Sequence, residues 1–155
     1  DHAYWAARAD LIIAWEEGRR FPERGVSPIG AAVERYHRTG AGRASVIAHC
    51  LAADVAIRAG DPAAAIGFLE PIATNGERHG EWLYAPEVLR LRALALSRLG
   101  TEHLPEAERL FTEAERLASA QGTPDFAARA ARDRSSLDGR KAKGARKAHP
   151  RTPTA

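Results

Sequence analysis

The sequence predicts an all-α protein, a right-handed superhelical stack of about three helix hairpins followed by a seventh helix. Three observations lead to this prediction: a repeat of near 40 residues, helix starts marked by proline, and helical spacing of apolar residues. Glycines recur with this period in two interleaved series, Gly18, Gly60 and Gly100, and Gly40, Gly80 and Gly122. Because Gly readily takes the left-handed conformation just past a helix, each series is interpreted as a row of helix ends. Two alternating rows of ends are typical of stacked hairpins.

The predicted helix starts agree with these ends. Ser27-Pro28, Asp61-Pro62 and Thr123-Pro124 each combine a side-chain N-cap with Pro at the first helical position. At that position the fixed φ of Pro is favourable and its missing N–H is not needed. Pro105 with Glu106 is expected to open a further helix in the same way. The predicted helices cover residues 3–17, 28–39, 43–59, 62–79, 82–99, 105–121 and 124–136.

Apolar residues follow helical spacing inside these segments, as in residues 107–118, where Glu and Arg occupy the opposite face. Residues 43–59 and 82–99 are apolar most of the way round, which predicts that they are inner helices enclosed by neighbours. The chain contains 33 Ala, and small side chains let helix axes approach closely. Pro71 and Pro86 fall inside predicted helices, and each is expected to kink its helix or restart it.

Charge divides the chain into two parts. The whole sequence has 23 Lys and Arg against 20 Asp and Glu, a formal net charge of +3. Residues 1–138 hold 17 Arg and all 20 acids, a net charge of −3, whereas residues 139–155 hold six basic residues and no acid. We therefore predict a helical repeat domain over 1–138 and a disordered tail over 139–155, because the tail lacks the large apolar residues that order a segment. Its candidate contacts to phosphate or acidic partners are Arg140, Lys141, Lys143, Arg146, Lys147 and Arg151.

No catalytic, cofactor or metal site is predicted, and the chain is expected not to be an enzyme. His49 and Cys50 are adjacent, but a zinc site needs about four ligands, so Cys50 is interpreted as a core residue. The glycine spacings match neither phosphate-binding loop pattern. No apolar run reaches the ~20 residues that a membrane span needs, and because the first residues show no signal-peptide pattern, a secretory leader is not expected. The expected location is the cytoplasm, and a chain that lacks Met and opens at Asp1 is expected to be part of a longer protein.

Residues 80–137 carry a more specific pattern. Its first part contains Gly80-Glu81, Trp82 and Tyr84, Ala85, Glu87, and Leu89-Arg90-Leu91-Arg92. Its second part contains Glu106-Ala107-Glu108, Phe111, Ala114, Leu117-Ala118 and Gln121-Gly122. This pattern resembles the C-terminal tetratricopeptide-like region of large bacterial signalling ATPases and transcriptional regulators. In that family a LuxR-type DNA-binding or cyclase-like head precedes a nucleotide-switching ATPase and a helical-repeat tail.

The resemblance implies a module that binds a protein or peptide partner, or senses a ligand, and that holds an ATPase module inactive until the partner engages. Any ATPase or cyclase activity would then lie in segments that this chain does not contain. Aromatic and Arg side chains dominate binding hot spots, so the candidate partner-binding residues are Trp82, Tyr84, Arg90 and Arg92; packing between repeats is the alternative. Two other interpretations stay open: part of an enzyme whose catalytic domain lies upstream, and a nucleic-acid-associated adaptor that uses the basic tail.

Overall fold

The part of the chain that the structure describes forms seven α-helices, as the sequence predicts. The structure is a computed structural model that describes residues 2–40, 46–73 and 82–148, with the backbone alone described at residues 73, 82 and 138–148. Within these ranges there is no strand. The helices are α1 (His2–Arg20), α2 (Ser27–Arg38), α3 (Val46–Arg58), α4 (Pro62–Ala73), α5 (Ala85–Leu99), α6 (Leu104–Ala120) and α7 (Pro124–Ala148). Single 3-10 turns occupy Pro22–Arg24, Trp82–Tyr84 and Thr101–His103.

Consecutive helices form three hairpins, α1 with α2, α3 with α4, and α5 with α6, and α7 packs against both α5 and α6. The odd-numbered helices also contact one another in succession, α1 with α3, α3 with α5, and α5 with α7. They therefore form one layer of the stack, which we call the inner layer. The prediction that residues 43–59 and 82–99 contain inner helices is confirmed, because α3 and α5 each pack against helices on both sides.

The apolar core runs without interruption along the stack. It consists of three clusters, and each cluster spans three successive helices. The first joins α1, α2 and α3, the second α3, α4 and α5, and the third α5, α6 and α7. Ile29, Leu69 and Phe111 are among the largest fully buried side chains, and burying a side chain of this size stabilises the fold by about 1.5–3 kcal/mol. Since α3 and α5 each belong to two clusters, neighbouring hairpins share a core.

Most of the predicted helix ends are confirmed. Gly40, Gly60 and Gly122 follow α2, α3 and α6 with φ angles of 76°, 79° and 68°, the left-handed conformation that Gly adopts without strain. Gly100 follows α5 in an extended conformation instead, with a φ of 176°. Gly80 lies outside the described residues.

The prediction that Gly18 ends a helix is wrong. Gly18 is a buried residue inside α1, which continues to Arg20. A Cβ atom built on Gly18 would lie 2.6 Å from Cγ1 of Val55 in α3, far closer than two carbon atoms pack. Gly18 therefore allows close contact between two inner helices, and it does not take part in a turn.

The predicted N-caps differ in outcome. Asp61 caps α4, because its carboxylate accepts a hydrogen bond of 2.9 Å from the N–H of Ala64. Thr123 precedes α7 as predicted, but its hydroxyl donates to the carbonyl of Ala118 at the end of α6. The N-cap prediction for Ser27 is wrong, because α2 begins at Ser27 itself and no side chain caps it.

The two prolines inside predicted helices also differ. Pro86 lies at the start of a new helix, because a 3-10 turn covers Trp82–Tyr84 and α5 begins at Ala85. Pro71 lies within α4, which is described as far as Ala73. The rest of the predicted segment 62–79 lies outside the described residues.

Helix α7 extends further than the sequence predicts. Its backbone is helical to Ala148, so it continues through residues 139–148, for which we predicted disorder. The physical reason is that these residues are mostly Ala, Lys and Arg, which have high helix propensity. Residues 149–155, which complete the predicted tail, lie outside the described residues. None of the helices in the described ranges has the length and apolar character needed to cross a membrane.

Candidate binding groove

The inner layer encloses a groove of about 600 Å³. Its described lining comes from α1, α3, α5, α7 and the turn before α5, and includes no residue of α2, α4 or α6. Aromatic, aliphatic and thiol side chains form part of this lining: Trp15, Ile47, Cys50, Leu51, Ile57, Tyr84, Leu94 and Phe126. Charged side chains form the rest: Arg19, Arg58, Arg90, Arg98, Arg129 and Arg132, with Asp54, Glu87 and Asp133. We call this surface the inner groove. Its six arginines and three carboxylates give it a formal charge of +3, opposite in sign to the net charge of residues 1–138.

Two of the carboxylates belong to one ion-pair network at the α5–α7 side of the groove. Nε and Nη2 of Arg90 donate to the two carboxylate oxygens of Glu87, both at 2.8 Å. Arg129 donates to Glu87 at 3.1 Å, and Arg90 also donates to Asp133. The side chains of Arg90 and Glu87 are only 10% and 11% exposed. This network therefore ties α5 to α7 with charged hydrogen bonds that are largely removed from water.

The environment of Arg90 fixes its charge. Burial acts to lower the pKa of Arg90, but the ion pairs with Glu87 and Asp133 outweigh burial, and the pKa is raised above its ordinary value. Three nitrogens of the guanidinium group donate within the chain. Arg90 therefore lines the groove as a side chain that holds two helices together.

Aromatic rings flank this network. The ring centres of Tyr84 and Phe126 lie 6.1 Å apart, within the range of favourable aromatic pairs. The guanidinium carbon of Arg129 lies 4.9 Å from the ring centre of Phe126, a distance typical of a cation–π contact. The same arginine thus links the aromatic pair to Glu87, and it remains partly exposed to the groove.

A second polar cluster lies at the α1–α3 side. The indole N–H of Trp15 donates to Asp54 at 3.0 Å, and Nε of Arg58 donates to both oxygens of the same carboxylate at 3.2 Å. The guanidinium group of Arg19 covers the Trp15 ring at 4.6 Å. A depression of about 430 Å³ adjoins the groove here and shares Arg19 and Arg58 with it. This side of the groove therefore presents two partly exposed arginines around a fixed indole ring.

Two further arginines complete the groove. Nη1 of Arg98 in α5 donates to the carbonyl of Ile57 near the end of α3, where a cation complements the helix dipole. Arg132 in α7 is exposed and makes no ion pair with any residue that the structure describes. Arg132 is consequently the groove arginine that is most available to an external anion.

The predicted partner-binding residues are only partly brought together. Tyr84 and Arg90 line the inner groove. Arg92 is exposed elsewhere on α5, where it contributes to the lowered pKa of Glu106 on α6, behind the larger effect of the Arg109 hydrogen bond. The side chain of Trp82 lies outside the description.

The structure describes only part of the predicted basic tail. Arg140, Lys141, Lys143, Arg146 and Lys147 lie on the backbone of α7, and Arg151 lies outside the described residues.

Sequence reasoning missed most of the groove. It did not identify Trp15 or Arg132 as candidate binding residues. A usable signal existed in the repeat: Arg19, Arg58 and Arg98 are 39 and 40 residues apart, so equivalent positions on three inner helices carry Arg.

Cys50 is buried, as we expected, and so is its neighbour His49. Both lie in α3. The Nδ1 atom of His49 donates a 2.7 Å hydrogen bond to the carbonyl of Phe68 in α4, so His49 joins the two helices of one hairpin. Among the described residues no three His, Cys, Asp or Glu side chains are grouped in a way that would hold a metal ion.

Comparison with known protein families, with curated proteins and with solved structures gives no match to this chain. The chemistry of the groove is therefore the basis for assigning a role. Arginine and aromatic side chains are the residue types that recur in the centres of protein-binding surfaces.

Proposed function

We propose that this chain is a non-catalytic helical-repeat module that binds a protein or peptide partner in the inner groove. The observation that carries the proposal is that the four inner helices all contribute to one continuous surface with aromatic, aliphatic and arginine side chains. A stack of hairpins is suited to this role, because each repeat adds a similar strip of surface to the same side.

The contacts inside the groove support binding because they hold the groove walls in place. The Glu87 network fixes α5 against α7, and the Trp15–Asp54 hydrogen bond fixes α1 against α3. Binding to a surface that is already ordered costs less free energy than binding to a mobile surface, because fewer side chains have to be ordered when the partner binds.

The wider context is also a proposal. We place the module in the cytoplasm, in a bacterial regulator in which the partner is an ATPase module of the same longer protein or an activating protein. The resemblance of residues 80–137 is the support for this context, and we expect the stack to be right-handed as in other repeats of that kind.

The binding proposal is tested by selecting peptides from a random displayed library on the whole chain. Ile47 is half-buried in the groove and is outside the three core clusters. We expect Ile47→Glu to weaken the selected peptides at least about tenfold in fluorescence anisotropy, because it places a charge in the apolar part of the lining. Leu99→Glu is the matched control, because Leu99 is 41% exposed and is not part of the lining.

Equal affinity for the two variants, or failure to select any peptide, would overturn the proposal. Circular dichroism establishes that each variant is folded, and Ile47→Gln replaces Ile47→Glu if the latter is not.

A second candidate is nucleic-acid binding through the end of α7. The observation that favours it is that the helix continues through residues 139–148, which carry five basic residues and no acid. Binding of this kind neutralises phosphates and weakens steeply with salt. A gel shift that is lost when the six basic residues of the tail become Gln would support it, and the absence of any shift with the whole chain would remove it.

A further inference from the structure

The internal repeat places one arginine on each of three successive inner helices. Arg19 lies in the last turn of α1, Arg58 ends α3, and Arg98 is next to the end of α5. All three line the inner groove. We call these three residues the arginine ladder, because equivalent positions in a stack of repeats follow one another along the surface.

The spacing of the ladder follows from helix packing. The inner helices contact their neighbours in succession, and the axes of packed helices lie about 8–10 Å apart. An extended peptide advances about 3.3 Å per residue. A peptide that runs across the inner helices therefore meets one arginine of the ladder for about every three of its residues.

The charge balance of the groove favours an anionic ligand. Each of its three carboxylates already accepts from a groove arginine: Asp54 from Arg58, and Glu87 and Asp133 from Arg90. The arginines exceed the carboxylates by three. Arg132 has no ion pair among the described residues, and the Arg58 side chain is 45% exposed although it contacts Asp54.

The apolar part of the lining distinguishes a peptide from a nucleic acid strand. Ile47 and Leu51 on α3 and Leu94 on α5 lie in the groove together with the ladder. Aliphatic side chains of a peptide would contact these residues between the carboxylates, whereas a phosphate backbone has no apolar groups to place there.

We infer that the inner groove binds an extended acidic peptide segment whose carboxylates are spaced about three residues apart, with apolar residues between them. The inference rests on the proposed function and specifies the chemistry of the partner. Arginine is suited to this role because its planar group binds a carboxylate through two parallel hydrogen bonds.

The test uses fluorescein-labelled peptides and the whole chain. One peptide consists of four Glu-Thr-Val repeats, a second has the same composition with its four Glu contiguous, and a third has Gln in place of Glu. We expect the spaced peptide to bind at least about tenfold more tightly than the Gln peptide and more tightly than the contiguous one, with an affinity that falls as salt is added.

Matched variants locate the contact. Arg132→Gln and Arg19→Gln are each expected to weaken the spaced peptide about five- to tenfold. Arg109→Gln is the control, because Arg109 is an exposed arginine of α6 that forms an ion pair with Glu106 away from the groove. We expect this control variant to bind the peptide as the natural chain does.

The outcomes separate this inference from the proposed function. If library-selected peptides require Ile47 but are not acidic, or if the Gln peptide binds as well as the spaced one, the groove binds peptides and the inference is wrong. If no peptide depends on Ile47, the proposed function fails as well. Tighter binding of single-stranded oligothymidylate than of the spaced peptide would also overturn the inference, in favour of a nucleic acid ligand.

Discussion

Glu87 joins two neighbouring helices of the inner layer. It accepts from Arg90 on its own helix and from Arg129 on α7, and it is 11% exposed. Breaking a buried ion pair is costly because the remaining charge keeps its desolvation penalty without its partner. Glu87 is therefore a structural residue of the α5–α7 junction.

We predict that Glu87→Gln destabilises the fold by about 2–4 kcal/mol, because Arg90 and Arg129 lose their shared negative charge. Urea unfolding followed by circular dichroism measures the free energy of unfolding. Glu106→Gln is the matched control, since Glu106 forms an exposed pair with Arg109 of the kind that contributes about 0–1 kcal/mol. Losses of equal size for the two variants would show that Glu87 has no special role.

The residue scale is also where sequence reasoning reached its limit. Tyr84 and Arg90 were singled out from the sequence as candidate binding residues, and both line the groove. The sequence could not show that Arg90 forms an ion pair with Asp133, because the two residues are 43 positions apart and meet only when α7 packs on α5. The spacing of three residues along α5 indicates the Glu87–Arg90 pair, but it gives no information about Asp133.

Close contact between inner helices depends on small residues at the point where they cross. Gly18 of α1 faces Val55 of α3, and both are buried. An added Cβ atom would lie 2.6 and 2.8 Å from the two γ carbons of Val55, so the helices would have to separate. The position of α1 against α3, and with it the Trp15–Asp54 side of the groove, requires Gly at this site.

We predict that Gly18→Ala destabilises the fold by about 1–3 kcal/mol, although Ala is the better helix former. Gly67→Ala is the control: Gly67 lies in α4 with no atom within 4 Å of an added Cβ, and this change is expected to stabilise by about 0.5–1 kcal/mol. In a Val55→Ala background the cost of Gly18→Ala is expected to shrink, as a double-mutant cycle in thermal or urea unfolding would show. An unchanged cost in that background would contradict the steric explanation.

The order and type of the helices were predictable, because the turn glycines and the apolar periodicity repeat along the chain. Individual helix ends were less predictable. The predicted helix end at Gly18 is wrong because Gly18 packs against Val55 inside α1. The predicted cap at Ser27 is wrong because α2 begins at Ser27, one residue before the predicted start. Tertiary contacts such as that of Gly18 with Val55 are not visible in local residue patterns. The sequence therefore does not show where such contacts override a local capping signal.

The arrangement of charged residues over the whole molecule makes the groove positively charged. The sequence alone shows a net negative domain with a basic end, and its one indication of a basic groove is the regular spacing of Arg19, Arg58 and Arg98. The positive surface arises because the repeat of near 40 residues brings Arg19, Arg58 and Arg98 to one side, and α7 adds Arg129 and Arg132. Local residue patterns thus determine the fold class. The groove depends instead on how equivalent residues of successive repeats align on one side of the stack.

Backbone amide NMR shifts test most directly whether the inner groove is the binding surface. The whole ¹⁵N-labelled chain is titrated with the peptide of four Glu-Thr-Val repeats. We predict that the largest shift changes fall on α1, α3, α5 and α7 at the groove, including Asp54, Arg58, Leu94 and Arg132, and that α2, α4 and α6 change little. Shift changes concentrated on α2, α4 and α6, or within residues 139–155, would contradict this prediction and place the binding surface elsewhere.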